Sequence, residues 1–297
     1  MPSLSKNTTL QPQFSLLLSF QNLATVRQSS VFIKITGVFP LLSYSFSNAT
    51  RSLDNSRPDV TLTPFLALLH ARTSSSTVFN PWRDTDSLND SSPTAPQQRL
   101  SHLTRYLEER LNRARWILIA EAPGYQGAKF SGCAMTSERR LLEDTGIMPP
   151  KGGNPAPTHR FFSGDKFRTS RTLLSNGRQN PAGALEPTAT MVWNTMLGLG
   201  HSHDFVLWNA FAWHPHHPLN PLTNRTPTDT ELESGKDTLK AFLSLFPQGH
   251  LIAIGRKSQA TLASLGISAH PVRHPANGGG SLFHQQMRGL LAASANP

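Results

Sequence analysis

Arg115-Trp116-Ile117-Leu118-Ile119-Ala120-Glu121-Ala122-Pro123-Gly124 is the stretch on which the architecture turns. Its apolar run does not alternate, as expected of a strand covered on both faces, and Pro123-Gly124 closes it with a turn. Upstream, Leu100, Leu103, Leu107 and Leu111 recur at three and four residues. That spacing predicts a helix over 98–113 whose apolar stripe packs on the sheet. Downstream, apolar runs at 205–210, 251–254 and 267–272 alternate with helix-like stretches at 189–199, 227–245, 258–265 and 282–293. Thr226 suits the N-cap of the second of these, with Pro227 at its first position. Strands alternating with helices predict an α/β fold, a three-layer α/β/α sandwich around a mostly parallel four-stranded sheet.

The flanking segments read differently. Residues 1–75 are rich in Ser, Thr and Asn and hold Lys6, Arg27, Lys34 and Arg51 with no acid before Asp54, the composition of an organelle-targeting peptide. Without a helical moment or cleavage signal, the segment reads as a disordered or wrongly assigned extension, and the folded domain is expected over 76–297. The Gly-, Pro- and Arg-rich stretch at 149–187 reads as a long surface insertion.

Composition narrows the function. The single cysteine, Cys133, excludes an intramolecular disulfide framework, a multi-thiolate zinc site and a Cys-ligated iron–sulfur cluster. The formal charge of +10 favours a polyanionic partner. That charge is spread along the chain, which is compatible with one positive groove and equally with an ordinary cationic surface. No apolar run approaches the roughly 18 residues of a membrane span, so no membrane role is expected.

In an open parallel sheet, ligands bind beyond the carboxyl ends of the strands. Those ends carry Glu121, Asn209, Gly255-Arg256 and Arg273-His274. An Asn offers one donor and one acceptor in a plane, matching the N–H and C=O edge of a pyrimidine. A His can hydrogen-bond an oxygen that gains negative charge, and a carboxylate can orient water or stabilise a cationic sugar. Each residue alone also suits a turn, a surface loop or a solvated position; together they suit hydrolytic removal of a base.

Ala120-Glu-Ala-Pro-Gly124 with Ser131-Gly132, then Asn209, Asn224-Arg-Thr-Pro227 and His274-Pro-Ala276, resemble the ordered motifs of the uracil-DNA glycosylase superfamily, nearest its bacterial GEAPG branch. The resemblance runs from near Thr77 to the C-terminus and implies a parallel four-stranded sheet between helices. It implies a monofunctional enzyme that cleaves the N-glycosidic bond of uracil in DNA, with Glu121 and His274 catalytic. Asn209, Gly124 and Asn224 would bind the base, and Met135 would stand where relatives place a stacking Phe. Arg225, Arg273, Asn277 and Gly278 would meet DNA, and Arg139, Arg140, Arg160, Lys166 and Arg168 are further phosphate contacts to consider.

Departures from the pattern carry expectations of their own. The motif opens on Ala120 rather than Gly, and one thiol cannot hold the cluster that many members of the branch carry, so no cofactor is expected. Asn277-Gly-Gly-Gly280 replaces the wedge that enters the base stack. Flipping a paired base costs a few kcal/mol, so single-stranded or mismatched uracil is the expected substrate of a monomeric enzyme. A DNA-binding damage sensor of the same fold is the alternative. His201, His203, His214, His216 and His217 raise a metal-dependent hydrolase as a third reading; Pro215 and Pro218 interrupt the segment and no H-E-x-x-H helix is present, so no metal ligand is assigned. A bacterial protein of this kind belongs in the cytoplasm and nucleoid, a eukaryotic one in an organelle or the nucleus.

Overall fold

The computed structural model describes residues 61–143, 161–171, 183–200 and 202–294. Its strands are β1 (Val78–Phe79), β2 (Trp116–Ala120), β3 (Phe205–Asn209), β4 (His214–Pro215), β5 (His250–Ile254) and β6 (His270–Val272). Its helices are α1 (Thr63–Ala71), α2 (Ala95–Glu108), α3 (Ala128–Ser131), α4 (Glu138–Glu143), α5 (Pro187–Leu199), α6 (Asp229–Ser244), α7 (Arg256–Ser264) and α8 (Gly280–Ala293). The four apolar runs form one parallel sheet in the order β3-β2-β5-β6, while β1 and β4 make a separate antiparallel pair.

Period-two alternation along β3 separates two aromatic cores. Phe205 meets Trp193 of α5 edge-on at a centroid distance of 5.0 Å. Trp208, on the opposite face, stacks on Phe242 of α6 at 4.9 Å and meets Phe65 of α1 at 5.2 Å. Tyr106 of α2 contacts Trp193, α5 packs on α8, and α1 packs on α6. Helices therefore cover both sheet faces, the three-layer α/β/α arrangement expected. No described helix is long and apolar enough to cross a membrane.

Three expectations change. Helix α1 lies inside 1–75, and its Phe65 and Leu69 are buried, so the fold starts before residue 76; residues 1–60 fall outside the described residues. The cap of α6 is Thr228, not Thr226: Thr228 Oγ1 accepts from Glu231 N and the Glu231 carboxylate accepts from Thr228 N, at 3.2 and 2.8 Å. Only Thr228 has a Glu three residues on to close that reciprocal box. Residues 161–171 are not a surface excursion, for Phe161, Phe162, Thr169 and Ser170 are buried. Arg110, fully buried, holds that segment by donating to the Phe161 carbonyl at 2.7 Å, and also donates to the carbonyls of Ser202, Phe205 and Tyr106. The rest of the expected insertion up to Ala182 lies outside the described residues.

Candidate functional site

The chain leaves β2 for β3 on one side and then crosses back to β5 on the other, so the winding direction reverses between β2 and β5. A crevice beyond the carboxyl ends is the consequence of that reversal. A cavity of about 270 Å³ lies there, lined by Glu121, Gly255, Val272 and His274, with Arg256, Lys257 and Arg273 along its rim.

His274 is half-buried and its tautomer is set by the backbone. Ala276 N–H donates to Nδ1 at 3.1 Å, so a neutral ring carries its proton on Nε2. Burial lowers its pKa below the usual histidine value; Glu121 works against that, and Arg273 adds to it. Gly255, at φ +84°, backs the imidazole, and a Cβ there would come within 3.2 Å of the His274 Cβ. The result is a neutral donor on the wall of a cavity that the Glu121 carboxylate also lines.

Asn209 ends β3 in register with Ala120, one residue before Glu121, and the Glu121 carbonyl accepts from Phe211 N at 3.0 Å. Only 3% of Asn209 is exposed, yet its amide makes no hydrogen bond to any described residue and is not sealed from solvent. An amide that reaches solvent with donors and an acceptor uncommitted to the protein is open to a ligand.

The loop after β2 is fixed from two sides. His214, sequestered from solvent, has Nδ1 at 2.8 Å from the Pro123 carbonyl and Nε2 at 3.1 Å from that of Pro221. Burial pushes its pKa down to about 3, so the ring is neutral and its one N–H donates to one of these two carbonyls. Asn224 Oδ1 accepts from Tyr125 N at 2.9 Å. Glu186, the residue before α5, reaches into the same loop. A Cβ on Gly124 would lie 3.4 Å from Glu186 Oε1 and 3.5 Å from both polar atoms of the Asn224 amide, and a Cβ on Gly127 would fall on Glu186 Oε2.

Behind the loop lies a sealed polar scaffold. Arg99 makes a bidentate pair with Asp90 at 2.7 and 3.0 Å, both side chains wholly inaccessible. Lys129 Nζ contacts Asp86 at 2.6 Å and lies over the rings of Phe79 and Phe130. His102 donates through Nδ1 to the Ser131 carbonyl and accepts at Nε2 from Phe167 N, both at 2.9 Å, which satisfies the neutral ring completely.

Sequence reasoning and structure meet unevenly. Glu121 and His274 share one cavity, and Asn209 and Gly124 stand on the strand end and loop beside Glu121. Met135 is a core residue, 6% exposed at φ +46°, whose carbonyl accepts from Trp193 Nε1. Arg225 does not present a free guanidinium: it is paired with both oxygens of Glu231 at 2.6 and 2.7 Å and with the carbonyls of Thr77, His216 and Thr226. Arg139 and Arg140 bond Gly183 O and Asn194 Oδ1, Arg168 bonds Ser170 Oγ and Arg171 O, and Lys166 lies over Phe162. Asn277 and Gly278, at φ +52° and +75°, form an exposed turn.

The histidines disperse. His203 contacts Glu109, His214 is clamped between carbonyls, and His216 stacks on His214 with Nδ1 against the His217 carbonyl. His201 and Arg160 lie outside the described residues. Sequence reasoning named Arg256 at the β5 strand end without giving it a role, and missed Glu186 and Lys257. Lys257 follows the same strand end and was findable by the strand-end rule; Glu186 had no such signal.

No family model and no curated protein matches this chain. Among solved structures it is similar to wild-type SMUG2 of Pedobacter heparinus, with 12% identity and a TM-score of 0.48 over 79% of this chain and 97% of that one.

Proposed function

We propose that this chain is a DNA glycosylase that hydrolyses the bond between uracil and deoxyribose. The observation that carries the reading is that Glu121, Asn209 and His274 arrive at one sheet edge with hydrogen-bonding groups unsatisfied by the protein. Asn209 reads the N–H and C=O edge of the extruded base through its free amide. As the glycosidic bond breaks, the base gains negative charge and the sugar positive charge. His274 Nε2–H meets the first and the Glu121 carboxylate the second, both preorganised before the reaction begins. Water adds to the sugar and its proton is lost to solvent or base. Arg273, Arg256 and the Asn277-Gly278 turn accompany the backbone, while Met135, a core residue, takes no part in holding the base.

The enzyme acts on single-stranded or mismatched uracil, since the Asn277 to Gly280 turn has no apolar tip to offset unstacking. Lys257 borders the cavity but is half-exposed and within 3.7 Å of Asp229, so it is no desolvated nucleophile, and the reaction stops at the abasic site. Incubation with a labelled uracil-containing single strand, followed by alkali, tests this. Cleavage at the uracil that survives EDTA and is lost in His274→Ala and Asn209→Ala is expected, with no adduct trapped by borohydride. An intact strand with the wild-type protein refutes catalysis and leaves the damage-sensor alternative, which binding of the same strand would reveal.

A further inference from the structure

Glu186 immediately precedes α5. Its Oε2 is sealed from solvent without a hydrogen-bond partner, and it occupies the space that a side chain at residue 127 would fill. Its Oε1 flanks Gly124 together with the Asn224 amide. The residue is the extended N-cap of α5, yet its side chain does not cap that helix. Leu185 and Pro187, on either side of it, line an open groove of about 750 Å³ whose other wall includes Gly280 and Ser281, at the start of the helix that follows the His274 loop. An unpartnered carboxyl in a glycine cradle, between the candidate base site and a groove able to seat a strand, is aimed at a ligand.

We propose that Glu186 is a second functional carboxyl of this site, donating a hydrogen bond from its acid form to an oxygen of the nucleotide seated over the Gly124 to Gly127 turn. The assignment of that nucleotide rests on the glycosylase reading. A carboxylate in this position has no cation or N–H to stabilise it, whereas the acid form is a donor. Burial alone pushes its pKa up to about 7. Among the charged groups on surrounding elements, Lys129 is committed to Asp86, Glu138 to Thr169 and Ser170, Arg139 to Gly183 and Arg225 to Glu231, while Arg140 bonds Asn194 through Nη2 and keeps a buried Nε without a partner. Helix α5 carries no titratable side chain; Tyr125 and Glu121 share the loop, His214 beneath it is neutral, and His274 lies on the facing loop. An approaching polyanion favours the acid form further, so the arrangement is self-consistent with a nucleic-acid ligand.

The test is a pH series from 6 to 8.5 on wild type, Glu186→Gln, Glu186→Ala and Gly127→Ala, reading uracil release and, separately, the affinity for a fluorescent single strand. Wild-type kcat/KM should fall above pH 7, approaching about tenfold per pH unit, as a single required proton is lost. Glu186→Gln, a permanent neutral donor, should keep substantial activity and lose that fall. Glu186→Ala should drop about 10- to 100-fold at pH 6.5, the effect of one strong hydrogen bond. Gly127→Ala, which expels the carboxyl without touching it chemically, should reproduce the alanine result if Glu186→Ala itself folds poorly. A wild-type rate that rises through pH 7 and vanishes in Glu186→Gln would make the group a base and overturn the proposal. Wild-type behaviour of Glu186→Ala and Gly127→Ala at every pH would overturn it equally. Absence of uracil release from all proteins would refute the glycosylase reading alone; the affinity series would still decide Glu186 by the same pattern.

Discussion

Two polar regions meet at the loop after β2 and behave oppositely. Beneath the loop after β2, Arg99, Asp90, Lys129, Asp86 and His102 are inaccessible or nearly so, and each meets a protein partner. On the other side, Glu121 and His274 line the cavity and Asn209 stands at the neighbouring strand end, and each keeps side-chain atoms that bond no described residue. The contrast between His102 and His274 is sharpest, because both are neutral imidazoles. One has both ring nitrogens satisfied; the other has only Nδ1 satisfied, by Ala276. Burial alone therefore does not mark a functional group here. Unfilled hydrogen-bonding valence at the strand-end cavity does, whereas the same lack at Trp208 Nε1 lies inside the aromatic core, since a closed network rigidifies and one open to a cavity awaits a ligand.

Breaking a closed pair should cost most. Arg99→Ala leaves the Asp90 carboxylate buried and uncompensated, and should lower unfolding free energy by about 3–5 kcal/mol, seen as a large shift in the denaturant midpoint or as insoluble protein. A stable Arg99→Ala would erase the distinction between the two regions. Opening the other side should do the reverse: His274→Ala should reduce excision by about 10²–10³-fold, the usual effect of one donor to a developing anion, with the thermal midpoint scarcely moved. Equal losses of stability in both variants would make His274 one more scaffold residue.

This division explains what was readable from sequence. The four strands of the sheet were legible because strands covered on both faces are continuous apolar runs, and their carboxyl ends led to Glu121, Asn209 and His274. Helix α1 was hidden by its Ser- and Thr-rich surroundings, although Leu62, Phe65 and Leu69 already repeat at helical spacing. Arg99 reads as a polar residue of an amphipathic helix; only the return of Thr169 and the Asp90 turn over it makes it interior. Arg225 invited a phosphate role until Glu231, in the first turn of α6, captured it. Glu186 was illegible in principle, because its place depends on a missing Cβ at Gly127, nearly sixty positions earlier.

Acid should separate the regions next. Burial depresses the pKa of His102 to about 4 from an unperturbed 6.5. Below 6.5 the unfolded chain takes up a proton that the folded chain refuses, so stability is full above 6.5 and is lost as pH falls towards 4. Between pH 7 and 5, His102 should account for about 2 kcal/mol of lost stability. His102→Gln, which keeps a donor and an acceptor but cannot titrate, should flatten chemical denaturation curves over that interval. His274→Ala, half-buried and less perturbed, should change the pH slope less.

The smallest effect concerns the two arginines that sequence reasoning placed on DNA. Arg273 is exposed at the cavity rim with its guanidinium bonded to no described residue, whereas Arg225 is locked to Glu231. Neutralising a real phosphate contact on a single strand lowers the slope of log affinity against log salt by about 0.7, through one counterion fewer released. Arg273→Ala should show that change, while Arg225→Ala leaves the slope alone and loosens the start of α6, where Glu231 also closes the helix cap. Should Arg225→Ala alter the slope instead, its bond to Glu231 must open when DNA binds. The boundary between closed scaffold and open site would then be movable at that point, and the free-valence criterion would have to be applied to the bound state.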